Sequence, residues 1–287
     1  MTDSSEHRLA IVGAGVMGTG IATLALGHGI PVVLVDVDDE TLKTARSRIR
    51  QQLRHAQLLG ALPACRKQGE LTTTVSIADV ADVTAVVEAV VESAETKAEV
   101  FAELAAVMQS DAPLISNTSG IPIAEMAGWT ERPEQLVGTH FMNPSYLIEM
   151  VEVSRGPRTA DAPVEAVVAL LTALGRKAVL VGDAAGFVTS RLLHPMINAA
   201  VRIVEEGTAT VEAVDQLMEG CLGHPTGPLR TADLIGLDNL VDSLDALYER
   251  TGEQTCRPCD LLLRKVRDGE LGRKTGRGFY EYGKAMS

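Results

Sequence analysis

Residues 9–20 read LAIVGAGVMGTG, and this stretch decides the fold. Its four apolar residues, 9–12, predict a buried parallel strand. Gly13, Gly15 and Gly18 follow at once with the spacing G-x-G-x-x-G. The first glycine of this pattern permits a tight turn, the second lets backbone approach a pyrophosphate, and the third lets helix and strand pack closely. A glycine-rich turn without a ligand is the alternative interpretation.

The residues after the glycines complete a β-α-β unit. Residues 19–28 contain no proline and predict a helix closed by Gly29, and residues 31–35 predict a second strand that ends at Asp36. A pyrophosphate is expected at the positive N-terminus of such a helix. A carboxylate at the position of Asp36 accepts a hydrogen bond from a ribose 2′-hydroxyl and repels a 2′-phosphate. The unit therefore predicts binding of NAD rather than NADP.

Composition excludes several classes of partner. The chain of 287 residues is 46% hydrophobic and has a net charge of −12, with 38 acidic and 26 basic residues. This balance disfavours nucleic acid and anionic membrane as partners. Residues 9–35 contain no Asp, Glu, Lys or Arg, but their glycines and Pro31 argue against a membrane span. The polar start, MTDSSEHR, is not a secretory signal, so we expect a cytoplasmic protein.

Strand and helix patterns alternate along the first two thirds of the chain. Further predicted helices span residues 39–59, 95–109, 123–127 and 163–174, and further predicted strands span residues 71–75, 83–91, 114–116 and 178–181. This alternation predicts an α/β fold with a doubly wound, Rossmann-like sheet.

The pattern becomes entirely helical after residue 183. Predicted helices span residues 186–206, 211–219, 232–249 and 258–267, the first with Pro195 inside it. We therefore predict two domains, residues 1–183 for the nucleotide and residues 184–287 as an all-helical C-terminal domain.

A second informative stretch is residues 139–153, THFMNPSYLIEMVEV. Two short apolar runs, 135–140 and 148–153, flank a turn signal centred on Asn143. If both runs are strands that fold back on each other, His140 and Glu152 meet at their outer ends. An imidazole beside a carboxylate is a proton acceptor suited to alcohol oxidation. The alternative interpretation is a core histidine and an exposed carboxylate at a strand end.

Four cysteines raise the question of a metal or redox site. Cys256 and Cys259 have CxxC spacing, but no second close ligand pair accompanies them. We interpret them as two reduced thiols and predict no metal site.

Several motifs together resemble the 3-hydroxyacyl-CoA dehydrogenase family over nearly the whole chain. They are GAGVMGTGIA from Gly13, NTS from Asn117, HFMNP from His140, EMVEV from Glu149, GFVTSR from Gly186, HPTGPLRTADLIGLD from His224 and LGRKTGRGFYEY from Leu271. The resemblance implies a Rossmann-like domain followed by a helical domain that contributes to the substrate cleft and forms a homodimer. It also implies reversible oxidation of an L-3-hydroxyacyl thioester by NAD.

The resemblance implies a role for each matching residue. His140 would be the general base, Glu152 its orienting partner, and Ser119 the group that hydrogen-bonds the reacting oxygen. Substrate contacts are implied for Ser119, Asn143 and Ser190. Cofactor contacts are implied for Gly13, Gly15, Val16, Met17, Gly18, Asp36, Glu92, Lys97, Asn117, Asn143 and Lys274.

Two departures from the family pattern bear on the substrate. Ser190 stands where much of the family has an asparagine that helps to hold the substrate oxygen. Leu59 falls where the helix after Asp36 usually carries a lysine toward the CoA phosphates, and Arg54, Arg66 or Lys67 are candidate substitutes.

These departures leave the acyl carrier open. The simplest substrate is 3-hydroxybutyryl-CoA. A second candidate is a hydroxyacyl group on an acyl carrier protein, as in polyketide extender-unit biosynthesis. A small non-thioester substrate, as in sugar-acid dehydrogenases of this architecture, and a non-catalytic, crystallin-like NAD-binding protein also stay open at this point.

Overall fold

The structure, a computed structural model, describes residues 7–63, 67–108 and 111–283. The chain forms two compact units, Met1–Phe187 and Val188–Ser287. The domain boundary predicted at residue 183 lies a few residues before this division. The first unit contains the sheet, and the second is helical.

Eight strands form one sheet in the described part of the first unit. They are β1 (Leu9–Val12), β2 (Val32–Val35), β3 (Leu71–Thr74), β4 (Ala85–Glu88), β5 (Leu114–Asn117), β6 (Leu136–His140), β7 (Met150–Arg155) and β8 (Lys177–Gly182). Their spatial order is β3-β2-β1-β4-β5-β6-β7-β8. Neighbouring strands run parallel, except that β6 and β7 are antiparallel.

Helices cover both faces of this sheet. They are α1 (Val16–Gly27), α2 (Asp39–Leu58), α3 (Ala94–Val107), α4 (Ile123–Met126) and α5 (Asp161–Ala173). Successive side chains of a strand point to opposite faces. Leu9 and Ile11 of β1 accordingly join the core formed with α1, α2 and α5, whereas Ala10 and Val12 join the core formed with α3 and α4. The predicted doubly wound α/β fold is confirmed.

The glycine turn after β1 is packed too tightly for larger residues. Gly13 has a φ of +104°, and a Cβ there would lie 2.5 Å from the carbonyl oxygen of Ala89. A Cβ on Gly18 would lie 1.8 Å from the carbonyl oxygen of Gly13, whereas one on Gly15 would meet nothing within 4 Å. Two of the three glycines thus allow close backbone packing, and the third leaves open space beside the turn.

The bounds of two predicted elements of the first unit differ by three residues at one end. Helix α1 begins at Val16 rather than at residue 19, because the glycine turn leads directly into its first turn. The strand predicted over residues 83–91 is limited to β4, and the chain turns away from the sheet after Glu88. The end predicted for the third helix, residue 109, lies outside the described residues.

The described part of the second unit contains five helices. They are α6 (Thr189–Glu205), α7 (Val211–Leu222), α8 (Pro228–Ile235), α9 (Leu237–Thr251) and α10 (Asp260–Arg267). Ile197, Leu240, Leu244 and Leu262 belong to their common core. The predicted all-helical C-terminal region is confirmed.

The prediction of one helix over residues 232–249 is wrong, because two helices span this region. Gly236 has a φ of +96°, outside the helical region, and separates α8 from α9. A glycine costs little in this conformation, so the chain changes direction there.

We expect Gly18→Ala to lower the free energy of unfolding by about 1–3 kcal/mol, because the added methyl overpacks the contact between turn and helix. Gly15→Ala is the matched control, and its effect should stay within about 0.5 kcal/mol. Urea unfolding followed by circular dichroism measures both. Equal midpoints for the two variants would contradict the packing role of Gly18.

Candidate active site

The antiparallel pair β6 and β7 brings His140 and Glu152 together. The two residues are directly opposite in the strand register, and the Nδ1 of His140 donates a hydrogen bond of 2.8 Å to the Oε2 of Glu152. Each residue is only 8% exposed. The predicted contact is therefore confirmed. With Nδ1 donating to a carboxylate, Nε2 is the ring nitrogen that can accept a proton.

The loop between these strands contains the predicted turn. Its Asn143–Pro144 peptide is cis, and Asn143 is exposed. The Arg176 guanidinium, which is buried, donates to the carbonyl oxygens of Tyr146 and Ile148 in this loop. Burial lowers the pKa of Arg176, with a smaller opposing effect of the Glu149 carboxylate. Two hydrogen bonds from Arg176 thus hold the loop of the hairpin that carries the histidine.

Asn117, the last residue of β5, and Ser119, just after it, lie at the same edge of the sheet. Asn117 lies opposite Thr139 of β6, and its Oδ1 accepts a hydrogen bond of 3.1 Å from the backbone N–H of Phe141. Ser119 follows two residues later and is half-buried. The carboxyl ends of parallel strands share one edge, where ligands of this fold class bind.

The glycine turn and its acid lie at the carboxyl end of β1 and β2. The backbone N–H of Ala14 donates a hydrogen bond of 2.8 Å to the Oδ2 of Asp36. Strand β1 has β2 and β4 as neighbours, so the chain reverses its direction of travel across the sheet at this point.

The residues present fit a dinucleotide. Helix α1 begins without a side-chain cap and without an acidic residue in its first turn, so its N-terminal N–H groups suit a phosphate. The open space beside Gly15 leaves room for its approach. Val16 is 53% exposed and Met17 is half-buried at the start of this helix.

Glu92 and Lys97 lie in a charged cluster beneath the Ser119 segment. The Nζ of Lys97 is 3.2 Å from the Oε2 of Glu92 and 2.7 Å from the Oε1 of Glu88. Burial raises the pKa of Glu92, but the charge of Lys97 and hydrogen bonds from Thr118 and Gly120 outweigh it, so that this pKa lies below its usual value. The predicted contacts of Glu92 and Lys97 with cofactor stay predictions.

Glu88 is a buried member of this charged cluster that the sequence analysis missed. It is 1% exposed and ends a strand that is otherwise apolar. An acid inside an apolar run was the available signal, since a buried carboxylate requires a partner. The strand predicted over residues 83–91 extends past Glu88, so the position of Glu88 at the strand end was not recognised.

Two predicted site residues belong to the second unit. Ser190 is 3% exposed near the start of α6. Lys274 forms an ion pair with Asp238. Their predicted roles toward substrate and cofactor stay predictions.

The remaining predicted features concern metals, membranes and phosphate contacts. Cys256 and Cys259 are free and buried, and burial is the largest cause of a raised pKa at Cys259. Across the described ranges, no group of three or more His, Cys, Asp or Glu side chains could hold a metal ion. In the same part of the chain, no helix is long and apolar enough to cross a membrane. Arg54 is exposed on α2, whereas Arg66 lies outside the described residues.

A dinucleotide turn and a buried imidazole–carboxylate pair at one sheet edge are the parts of an NAD-dependent dehydrogenase. Residues 8–184 match the family model "3-hydroxyacyl-CoA dehydrogenase, NAD binding domain", and residues 186–282 match "3-hydroxyacyl-CoA dehydrogenase, C-terminal domain". The chain belongs to the 3-hydroxyacyl-CoA dehydrogenase family, and its cofactor is NAD.

Individual relatives match over almost their full length. A 3-hydroxybutyryl-CoA dehydrogenase of Bradyrhizobium diazoefficiens is 40% identical over 278 residues, which cover 96% of this chain and 95% of the relative. The crystal structure of FadB2 from Mycobacterium tuberculosis superposes with a TM-score of 0.92 at 40% identity, covering 96% of this chain and 99% of that one. The crystal structure of an (S)-3-hydroxybutyryl-CoA dehydrogenase from Ralstonia eutropha superposes with a TM-score of 0.87 at 34% identity, covering 97% and 99% of the two chains.

We expect Asp36→Asn to weaken NAD binding by about 10-fold or more, since a hydrogen bond to a charged group contributes about 1.5–3 kcal/mol. The same change should narrow the preference for NAD over NADP, because the repulsion of a 2′-phosphate is lost. Isothermal titration with each cofactor measures both effects. Asp39→Asn, an equal charge change at an exposed residue nearby, is the control. An unchanged ratio of the two affinities in Asp36→Asn would contradict its role.

Proposed function

We propose that the protein catalyses the reversible, NAD-dependent oxidation of a short L-3-hydroxyacyl thioester, most simply 3-hydroxybutyryl-CoA, to the 3-oxoacyl thioester. One observation carries this proposal: the 2.8 Å hydrogen bond between His140 and Glu152 at the sheet edge that also carries the glycine turn. Relatives named 3-hydroxybutyryl-CoA dehydrogenase support the choice of acyl group.

His140 acts in this proposal as the general base. Its Nε2 takes the proton of the 3-hydroxyl group, and the imidazolium that forms is stabilised by the Glu152 carboxylate on the opposite ring nitrogen. Bound NAD supplies the hydride acceptor. A positioned base of this kind contributes about 10²–10⁴-fold to a rate. In the reverse direction the imidazolium returns its proton to the 3-oxo oxygen.

Ser119, Asn143 and Ser190 are the proposed substrate-binding residues. A serine hydroxyl can donate to the reacting oxygen and accept from another group at once. Ser190 is shorter than the asparagine common in the family, so a water molecule is the natural bridge between its hydroxyl and substrate.

Helix α2 offers a surface for the carrier of the acyl group. From residue 43 to residue 58 it has five basic residues and no acid, in a chain whose net charge is −12. The five are exposed: Lys43, Arg46, Arg48, Arg50 and Arg54. Such a surface suits the phosphates of CoA, and it also suits an acidic acyl carrier protein, which is the second candidate carrier.

The substrate is tested with 3-hydroxybutyryl groups on CoA, on an acyl carrier protein and as the free acid, followed by NADH absorbance. We expect the CoA thioester to have the highest kcat/KM and the free acid to give no turnover. A higher kcat/KM for the thioester on the acyl carrier protein would show that this protein, and not CoA, carries the substrate. Turnover of neither thioester would refute the proposed function.

Variants of the catalytic pair belong to the same experiment. His140→Ala should lose about 10²–10⁴-fold in kcat while NAD binding is retained, because only the base is removed. Glu152→Gln should lose kcat as well, whereas Glu149→Gln, an exposed neighbour on the hairpin, should stay within about two-fold. Full turnover in His140→Ala would refute the assignment of the base.

We also propose that the second unit mediates a homodimer. Exposed apolar side chains on α6 and α7 support this proposal, with Leu192 at 69%, Leu217 at 58% and Leu222 at 67% exposure. A contiguous exposed apolar patch is typical of a protein–protein interaction site.

Light scattering after gel filtration should give twice the chain mass of 30.4 kDa. Replacing Leu217 and Leu222 by glutamate should shift the protein toward the monomer, because burial of these side chains would then require burial of charge. Leu58→Glu is the control, since Leu58 is 86% exposed on α2 of the first unit. A single-chain mass for the unmodified protein would refute the dimer.

A further inference from the structure

Lys97 is a fully buried cation with three carboxylate oxygens around its ammonium group. Its side chain is 0% exposed. Its Nζ lies 2.7 Å and 2.8 Å from the two carboxylate oxygens of Glu88 and 3.2 Å from the Oε2 of Glu92. An ammonium group has three N–H donors and no acceptor, so these three oxygens match its full capacity. This pairing gives Lys97 a structural role inside the protein, whether or not it also contacts the cofactor.

Glu92 uses its other oxygen to hold the segment that contains Ser119. Its Oε1 accepts hydrogen bonds from the Thr118 hydroxyl and from the backbone N–H groups of Ser119 and Gly120, the last two at 2.9 Å each. One carboxylate thus binds three consecutive residues after β5. Its side chain is 34% exposed, so it lies where the buried cluster reaches the sheet edge.

Glu88 anchors the cluster to the sheet. Besides Lys97, its carboxylate accepts hydrogen bonds from the Ser116 hydroxyl at 2.6 Å and from the backbone N–H of Val90 at 2.9 Å. It lies between Val12 of β1 and Ser116 of β5 in the strand register. The glycine turn contacts the residues just after it, since Gly13 packs against Ala89. Glu88 therefore lies between the strand that leads into the dinucleotide turn and the strand that leads into the Ser119 segment, and Lys97 connects it to Glu92.

We propose that Glu88 and Lys97 are positioning residues for the proposed reaction. Glu88 fixes Lys97, Lys97 fixes the Glu92 carboxylate, and Glu92 fixes the backbone of Ser119. The proposal rests on the proposed function in one respect, the contact between the Ser119 hydroxyl and the reacting oxygen. A shift of about 1 Å in such a group costs about 10²-fold in rate.

The lysine is the central member because it balances two carboxylates. Without it, Glu88 and Glu92 would be two like charges in one partly buried site, and at least one would have to move or take a proton. A change at Glu92 weakens the acceptor of the Ser119 segment, because the three hydrogen bonds of that segment end on its Oε1. Loss of the Lys97 charge leaves the aliphatic packing of α3 in place, but it shifts the backbone of the Ser119 segment.

Amide hydrogen exchange tests the positioning independently of any reaction. In Lys97→Met, the Ser119 and Gly120 amides should exchange about 10-fold faster or more than in the unmodified protein, as local opening becomes easier. Glu99→Gln, an exposed acid on the same helix, should leave both rates unchanged. If Lys97→Met does not fold, the double variant with Glu88→Gln removes one charge of each sign and serves instead. Unchanged exchange in a folded variant would overturn the proposal.

Kinetics then separates positioning from general stabilisation. Glu88→Gln should lower kcat by about 10-fold or more, with KM for substrate and the Kd of NAD within about three-fold. In a Ser119→Ala background, Glu88→Gln should lower kcat by a further factor of less than about two, because the two residues act in one chain of contacts. Additive losses would overturn the proposal.

The two experiments also distinguish this proposal from the proposed function. If the thioester is not the substrate, no variant turns it over, yet the exchange rates of Ser119 and Gly120 still respond to Lys97→Met. If the substrate is right and the cluster does not position Ser119, turnover is present and the exchange rates do not respond.

Discussion

One antiparallel pair in an otherwise parallel sheet determines the chemistry of the first unit. Because β7 runs against β6, the end of one strand and the start of the other lie side by side, and His140 meets Glu152. If β7 ran parallel to β6, a long crossover connection would have to join the two strands. The short loop that now brings His140 and Glu152 together would then be impossible. The loop of residues 141–149 makes the reversal, and Arg176 holds it in place. The hydrogen bond of 2.8 Å is therefore a consequence of topology as well as of residue type.

Two buried pairs of ionisable side chains lie in this part of the first unit. Glu88, Lys97, His140 and Glu152 are each at most 8% exposed. Burial of a charge is unfavourable unless a partner and hydrogen bonds compensate it, so these residues stabilise the fold little relative to apolar side chains of similar size. These pairs instead orient the side chains, because the Glu88 carboxylate faces Lys97 and the Glu152 carboxylate faces His140.

Local patterns made most of the fold predictable. Strand β1, the glycine turn, α1, β2 and Asp36 follow one another within 28 residues, so the sequence from residue 9 to residue 36 contains the whole unit. His140 and Glu152 were predictable because a short reversal joins their strands. Gly236 was not recognised as a helix end, because an isolated glycine within a helical pattern is compatible with one continuous helix. The distinction depends on its φ of +96°, which only the structure reveals.

Glu88 shows why the rest of the site could not be predicted in this way. Its partners are Lys97 on the following helix and Ser116 on the next strand, and no periodicity relates a strand end to both. What relates them is the parallel register, in which Val12, Glu88 and Ser116 are neighbours across three strands. A carboxylate at that central position accepts hydrogen bonds from Ser116 of β5 and from Val90, which follows the Ala89 backbone that the glycine turn packs against. The hydride and the proton must leave substrate in a common geometry, and a rigid link between the two binding elements is the simplest way for a sheet to maintain it.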